Sequence, residues 1–365
     1  MSVKSTGFLR LMRKDLSAFF SSAPHIILGT GTSCAVDVGF GMGALQNALQ
    51  KGIPEHELKK SSVSQWRKVL SELKKGTDLE NSLNAAESEE LQKRILQITC
   101  DSVASLDQRY APDICLGRKS WPAMAIIQKV FNGLSSTDRY TLEVITTNYD
   151  LLFEYACVAN KIPCVDGYCG GVVRHRDWNA TLQSLRYRVQ KVARKKKVDE
   201  FVLREHVQLY KVHGSLNWFM VDGDVVENDM WIDKSDIGVD RVMITPGLAK
   251  YKKMQDFRKE LQSDTDMAVN RARKFLFLGY GMNDAHVERY IVKRIKDESL
   301  PALIITREWN RRIDDLARKN SCVTVVCGMA NPADGTRVFS PRYKDWQEIP
   351  GKCLWDFPEF AKQMM

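Results

Sequence analysis

No two of the nine cysteines stand in a CxxC pair. That argues against a zinc ribbon, which takes its thiolates in short-spaced pairs, and leaves open only ligands gathered from distant parts of the chain. An odd count, with no stretch laid out as a secretory signal, predicts reduced thiols in a cytoplasmic protein. No apolar run approaches the roughly 18 residues that a membrane helix needs. GxxxxGK[ST] is absent, so ATP hydrolysis on a P-loop has no support. Histidine is scarce, at six residues, and no His, Glu and Asp combination has metal-site spacing, so no metal is expected. Repeats, coiled-coil heptads and low-complexity stretches are also missing.

What is present is a set of four hydrophobic runs of strand length, each followed at once by a polar motif. His25-Ile26-Ile27-Leu28 leads into Gly29-Thr30-Gly31-Thr32-Ser33. Leu142–Ile145 leads into Thr146-Thr147-Asn148-Tyr149-Asp150. Val207–Val212 leads into His213-Gly214-Ser215. Phe275–Leu278 leads into Gly279-Tyr280-Gly281-Met282-Asn283-Asp284. In an open α/β sheet, ligands bind beyond the carboxyl ends of the strands. If these runs are parallel neighbours, one edge collects a glycine turn, an Asn, two Asp and a His.

The rest of the chain fits that frame. Strand–helix alternation from residue 275 to 327 predicts an α/β fold with a doubly wound parallel, Rossmann-like sheet. Phe8, Leu9, Leu11, Met12, Leu16 and Phe19 predict an N-terminal helix. A helix is expected from about Ala35 to Leu49. Residues 52–118 are polar with helical spacing and read as a helical insertion of two helices, broken at Gly76-Thr77-Asp78. Residues 167–206 read as a second insertion, glycine-rich and then basic. The core is then 1–51 with 119–365. Asp222-Gly223 predicts a hairpin, and a short strand at 242–245 should stop at Pro246-Gly247. The run Arg186–Lys197 carries part of the net charge of +9. It reads either as a surface for nucleic acid or an acidic partner, or as a solvated helix face, and the helix face is the expectation.

Each motif also has a plain structural reading. Gly29-Thr30-Gly31 begins a dinucleotide fingerprint whose glycines admit a pyrophosphate, yet Cys34 replaces the third glycine. Without the other motifs it reads equally well as a tight turn. Asp150 alone reads as a helix cap. Asn148 is harder to explain structurally, because a cap needs one residue. A lone His is more often structural, but His213 ends an apolar strand and should point into the crevice.

Together the motifs resemble the sirtuin family, and more closely its NAD-hydrolysing branch in prokaryotic antiviral systems. GTGTS is similar to the GAGxS phosphate loop, TTNYD to the TQNID segment and YKVHGS to the catalytic-histidine strand. FLGYGMND is similar to the late glycine turn and acidic loop. The resemblance covers roughly residues 20–50 and 140–310. It departs where deacylating sirtuins carry two CxxC pairs, a GIPDFR-like arginine and the Gln replaced here by Thr147. Those departures weaken an acyl-lysine reading and leave NAD+ cleavage.

The resemblance implies NAD+ as substrate, and the unpaired cysteines predict that it is handled without a metal. It implies Asn148 and His213 as catalytic residues and Asp150 as their electrostatic support. Gly29, Thr30, Gly31, Thr32, Ser33, Thr147, Gly279, Tyr280, Gly281, Asn283 and Asp284 would bind the dinucleotide. Nothing outside the sirtuin-like core resembles a ligand-sensing domain, so self-assembly and a second protein are expected to control the chain, and the resemblance makes a HerA-type hexameric ATPase the first candidate. The alternatives are an NAD-dependent deacylase and a non-catalytic NAD or ADP-ribose sensor.

Overall fold

The structure is a computed structural model describing residues 3–193, 196–234, 237–244, 252–343 and 345–365. Sixteen strands occur among the described residues. They are β1 (His25–Leu28), β2 (Thr141–Thr146), β3 (Cys164–Val165), β4 (Tyr168–Gly170), β5 (Arg174–Arg176), β6 (Arg186–Ala193), β7 (Lys196–Leu203) and β8 (His206–Lys211). After them come β9 (Gly214–Val221), β10 (Asp224–Glu227), β11 (Asp240–Met243), β12 (Phe275–Leu278), β13 (Ala302–Thr306), β14 (Val323–Gly328), β15 (Gly335–Phe339) and β16 (Trp346–Pro350).

The central sheet has the order β16-β15-β14-β13-β12-β1-β2-β8-β3. From β14 to β3 all neighbours are parallel. Side chains alternate across each strand and divide the interior in two. Ile26, Leu28, Leu276 and Leu278 face one core, closed by helices Val3–Phe19, Met124–Asn132, Leu152–Ala159 and Phe357–Met364. Ile27, Phe275 and Phe277 face the other, closed by helices Lys252–Arg271, Ala285–Asp297 and Arg311–Lys319. Because both faces are covered, these strands read as continuous apolar runs. Each fully buried Leu, Ile or Phe contributes about 1.5–3 kcal/mol. The expected doubly wound α/β fold is what the chain adopts.

Strand order reverses at the β1–β12 junction. β1, β2 and β8 run outward on one side, and β12, β13 and β14 on the other. The crevice beyond such a switch point is where open α/β sheets place ligands. A second, antiparallel sheet has the order β11-β9-β10-β5-β4. The chain passes from β8 to β9 through Val212 and His213 alone, so His213 sits where the two sheets meet.

Several local expectations change. The helix expected over 35–49 is instead a turn of helix at Gly31–Cys34, a 3-10 turn at Val38–Phe40 and a helix at Met42–Gly52. Asp37 causes the break, since its side chain accepts from the Gly39 amide and starts a new turn. The 52–118 segment holds three α-helices, Lys60–Lys74, Leu79–Leu83 and Glu89–Cys115, because Asp78 and Ser88 each cap a fresh helix. The basic run is not a helix face. It lies in a two-stranded antiparallel ribbon, β6–β7, that forms a sheet of its own. Tyr187, Val189, Val198, Phe201 and Val202 supply the strand-forming side chains that the charges obscured. Thr245, Pro246 and Gly247 lie outside the described residues, as do Arg194 and Lys195.

Candidate functional site

The first and fourth motifs interlock backbone to backbone. The Gly31 amide donates to Gly279 O at 2.9 Å. A Cβ built on Gly279 would lie 2.5 Å from the Thr32 amide nitrogen, and one on Gly31 would lie 2.7 Å from Gly279 O. Gly279 also has φ +59, which favours glycine. The glycines therefore let two turns of the protein approach each other. The amides of Gly29, Gly31, Thr32, Ser33 and Cys34 all donate to backbone carbonyls. With four residues, helix Gly31–Cys34 is too short to supply a sizeable dipole.

Thr32 and Ser33 are buried, and their hydroxyls fix Asn148. The Thr32 hydroxyl donates to Gly29 O at 2.8 Å, and the Ser33 hydroxyl donates to Asp150 Oδ2 at 2.7 Å. Both hydroxyl oxygens are thereby left to accept. The Asn148 amide donates to them at 3.1 and 3.0 Å, and to Gly29 O at 3.2 Å. This pattern sets the amide orientation. It leaves Asn148 Oδ1 buried without a hydrogen-bond partner. An orphaned buried acceptor at a strand end suits a hydroxyl donor such as a ribose hydroxyl.

Beneath Asn148 is a buried charge network. Lys211 Nζ donates to Asp150 O at 2.8 Å and to Glu154 Oε1 at 2.6 Å. Burial alone would lower the Lys211 ammonium, but Glu154, Asp150 and Asp166 outweigh it and hold its pKa above the ordinary value. Burial pushes the Asp150 carboxyl up, opposed by Ser33 and Lys211. Asp107, on helix Glu89–Cys115, accepts from the Leu151 amide at 2.7 Å and the Tyr155 hydroxyl at 2.8 Å. Its burial pushes its pKa up to about 7.

On the other side of the crevice, His213 Nε2 lies 2.8 Å from Asp284 Oδ2. The His213 ring is 6.4 Å from that of Tyr149, whose hydroxyl donates to Ile244 O at 2.7 Å. Gly214 has φ +82, and a Cβ there would collide with Val242 O, so only glycine can follow His213. The loop carrying Asp284 is held from outside. Asn310 donates to Gly281 O at 2.7 Å and Arg312 to Met282 O at 3.2 Å. Met282 has φ +53, a costly conformation of the kind concentrated at functional loops. Glu80, from helix Leu79–Leu83, stands within electrostatic range. Burial pushes its carboxyl up, Asp284 adds to this, and His213 opposes it.

The structure thus brings Asn148, Asp150, His213, Asp284 and both glycine turns to one edge. Thr30, Thr147 and Gly281 are half-buried there, and Asn283 is exposed. Tyr280 is placed differently from a ligand-facing group: it is buried and its ring packs on Phe277 at 5.9 Å. Sequence reasoning missed Asp107, Lys211, Glu154, Glu80, Asn310 and Arg312. Only Lys211 gave a local signal, as a lysine inside an apolar strand. Cavities of about 570 and 310 Å³ lie instead toward the amino-terminal ends of the parallel strands. Among the described residues, no group of three His, Cys, Asp or Glu side chains is placed to hold a metal ion, and no helix is long and apolar enough to cross a membrane.

A search of curated proteins gives no match. One solved structure, titled "Structural Basis for the Mechanism and Regulation of Sir2 Enzymes", is similar at 11% identity and a TM-score of 0.42, covering 97% of this chain and 96% of that one. At that score the two backbones differ too much for residue-by-residue comparison. The family model for the SIR2-like domain matches residues 142–324. That match spans half of the chain, including β2, β8, His213 and the loop of Asp284, and the chain belongs to the SIR2-like domain family.

Proposed function

We propose that this chain is an NAD+ glycohydrolase, releasing nicotinamide and ADP-ribose. The observation that carries the reading is the orphaned Asn148 Oδ1 at the same sheet edge as the His213–Asp284 pair, in a chain of this family. NAD+ lies across the strand ends, with its nicotinamide ribose between Asn148 and His213. Asn148 Oδ1 accepts from a ribose hydroxyl and orients the sugar. The glycosidic C–N bond breaks and its electron pair goes to the nicotinamide ring, which leaves neutral. Positive charge develops on the sugar, where nearby carboxylates favour it. Asp284 Oδ2, 2.8 Å from His213 Nε2, favours the proton on that nitrogen and leaves the basic lone pair on Nδ1. That nitrogen takes the proton of the attacking water, directly or through a ribose hydroxyl, as the new C–O bond forms.

On this reading the chain depletes NAD+ in antiviral defence, as a cytoplasmic assembly of identical chains paired with a HerA-type ATPase. The support is the resemblance of the motifs, and light scattering on the purified chain tests the assembly. Incubation of the chain with NAD+ tests the chemistry. Free nicotinamide is expected without any peptide, and Asn148→Ala or His213→Ala should each reduce its release by about 100-fold or more. Release only with an acylated peptide would make the chain a deacylase, and binding without release a sensor. Near wild-type turnover in both variants would remove the site assignment.

A further inference from the structure

We propose that the β6–β7 ribbon is an arm that grips the phosphate backbone of double-stranded DNA. Residues 186–204 contain eight basic residues and two acidic ones, so this short stretch holds +6 of the chain's net +9. A fold has no internal need for such a concentration, since like charges repel. The ribbon is paired over eight registers, from Arg186↔Leu203 to Ala193↔Lys196, and joins neither of the other sheets. Most of its described side chains are open to solvent. Arg186, Arg188, Lys197 and Glu200 are exposed, as are Tyr187 at 45%, Val198 at 49% and Phe201 at 68%.

Register decides which groups act together. Cross-strand partners share a face, and alternate residues along a strand return to it. Arg188 pairs with Phe201 and Arg186 with Leu203, so these two arginines share one face with Phe201 and Lys197. Asp199 is on that face too, in an ion pair with Arg188.

Arg186, Arg188 and Lys197 are therefore set along an extended rod. Eight residues span about 27 Å at about 3.4 Å each. Duplex DNA offers one negative charge per ~1.7 Å of axis, a density that matches a line of cations better than a patch of protein carboxylates does. Its major groove also admits a two-stranded ribbon. A single strand fits less well. It needs successive aromatic platforms, and this face offers one, Phe201.

Fluorescence anisotropy of the full chain with a labelled 30-base-pair duplex, at 50 and 200 mM NaCl, is the test. The wild-type chain should bind at 50 mM and weaken about 100-fold at 200 mM if about four phosphates are neutralised. The combined Arg186→Gln, Arg188→Gln, Lys197→Gln variant should bind at least 10-fold more weakly at 50 mM, with a shallower salt slope. Its thermal melting should match the wild type, since none of the three side chains is buried. Four results would each overturn the proposal: no binding at 50 mM, an unchanged slope in the variant, tighter binding to a 30-nucleotide single strand, or equal displacement by polyglutamate at matched charge.

Discussion

Helices 60–115 and the 186–203 ribbon both leave the central sheet, and both are rich in charge, yet they are built on opposite plans. The helical segment has a core of its own in which Trp66, Val69, Leu83, Leu91 and Ile95 are almost wholly buried. Its last helix then reaches inward, and Asp107 fastens it to the residue after Asp150. Among the described residues the ribbon has no sheet partner outside its own two strands, and most of its side chains are exposed. One excursion holds the candidate site in shape, and the other turns its charge to the solvent. Polarity along the sequence does not separate the two roles. The position of the apolar residues does.

That contrast can be broken by mutation. Trp66→Ala should have the largest effect, a loss of about 3–5 kcal/mol in urea unfolding, as for other buried aromatics. A loss below about 1 kcal/mol would mean that the helical segment has no working core. Asp107→Ala comes next, at about 2–3 kcal/mol, because it strands the Leu151 amide and the Tyr155 hydroxyl. On the proposed function it also slows nicotinamide release by about 10-fold, acting through the Asn148–Asp150 segment. Turnover at the wild-type rate would separate the helix from the site.

The pH dependence of stability sharpens the same point. Folding raises the Asp107 carboxyl from the usual ~3.9 to about 7. Between those values the folded chain keeps a proton that the unfolded chain has released. The stability from this group is full below about pH 4 and is lost as pH rises through about 7. Wild-type stability minus that of Asp107→Asn should fall across this window and level off above it. A difference that does not change with pH would show that the carboxyl is not buried in this way. The smallest effect is expected in the ribbon, where Phe201→Ser should stay within about 0.5 kcal/mol. A larger loss would mean that the ribbon packs on something.

Much of the sheet was legible because its parallel strands are buried on both faces. β1, β12 and β13 announce themselves as unbroken apolar runs, and the motifs after them fall at the strand ends. The two antiparallel strands β15 and β16 were not legible. They are short strands at one end of the sheet, β16 at its edge, and Arg337, Gln347 and Glu348 interrupt the pattern. The ribbon was misread because lysine and arginine outnumber the residues that set its period. Of the site, the Asn, the His and the glycines could be named from local placement. Their partners could not. The contact of His213 with Asp284, and that of Asp107 with Leu151, join residues far apart in sequence, and nothing near either residue points to the other.

The contact between Gly31 and Gly279 has a mechanical consequence. No methyl group fits on either side of it, so the two halves of the sheet meet without slack. A push on the loop after β12 passes directly into Thr32, and Thr32 holds the Asn148 amide. The same loop carries Asp284, and Asp284 holds His213. The loop is thus a lever with two arms, one ending at each of the groups proposed to act on the sugar. Asn310 and Arg312 anchor that loop from outside, so both groups depend on the same two contacts.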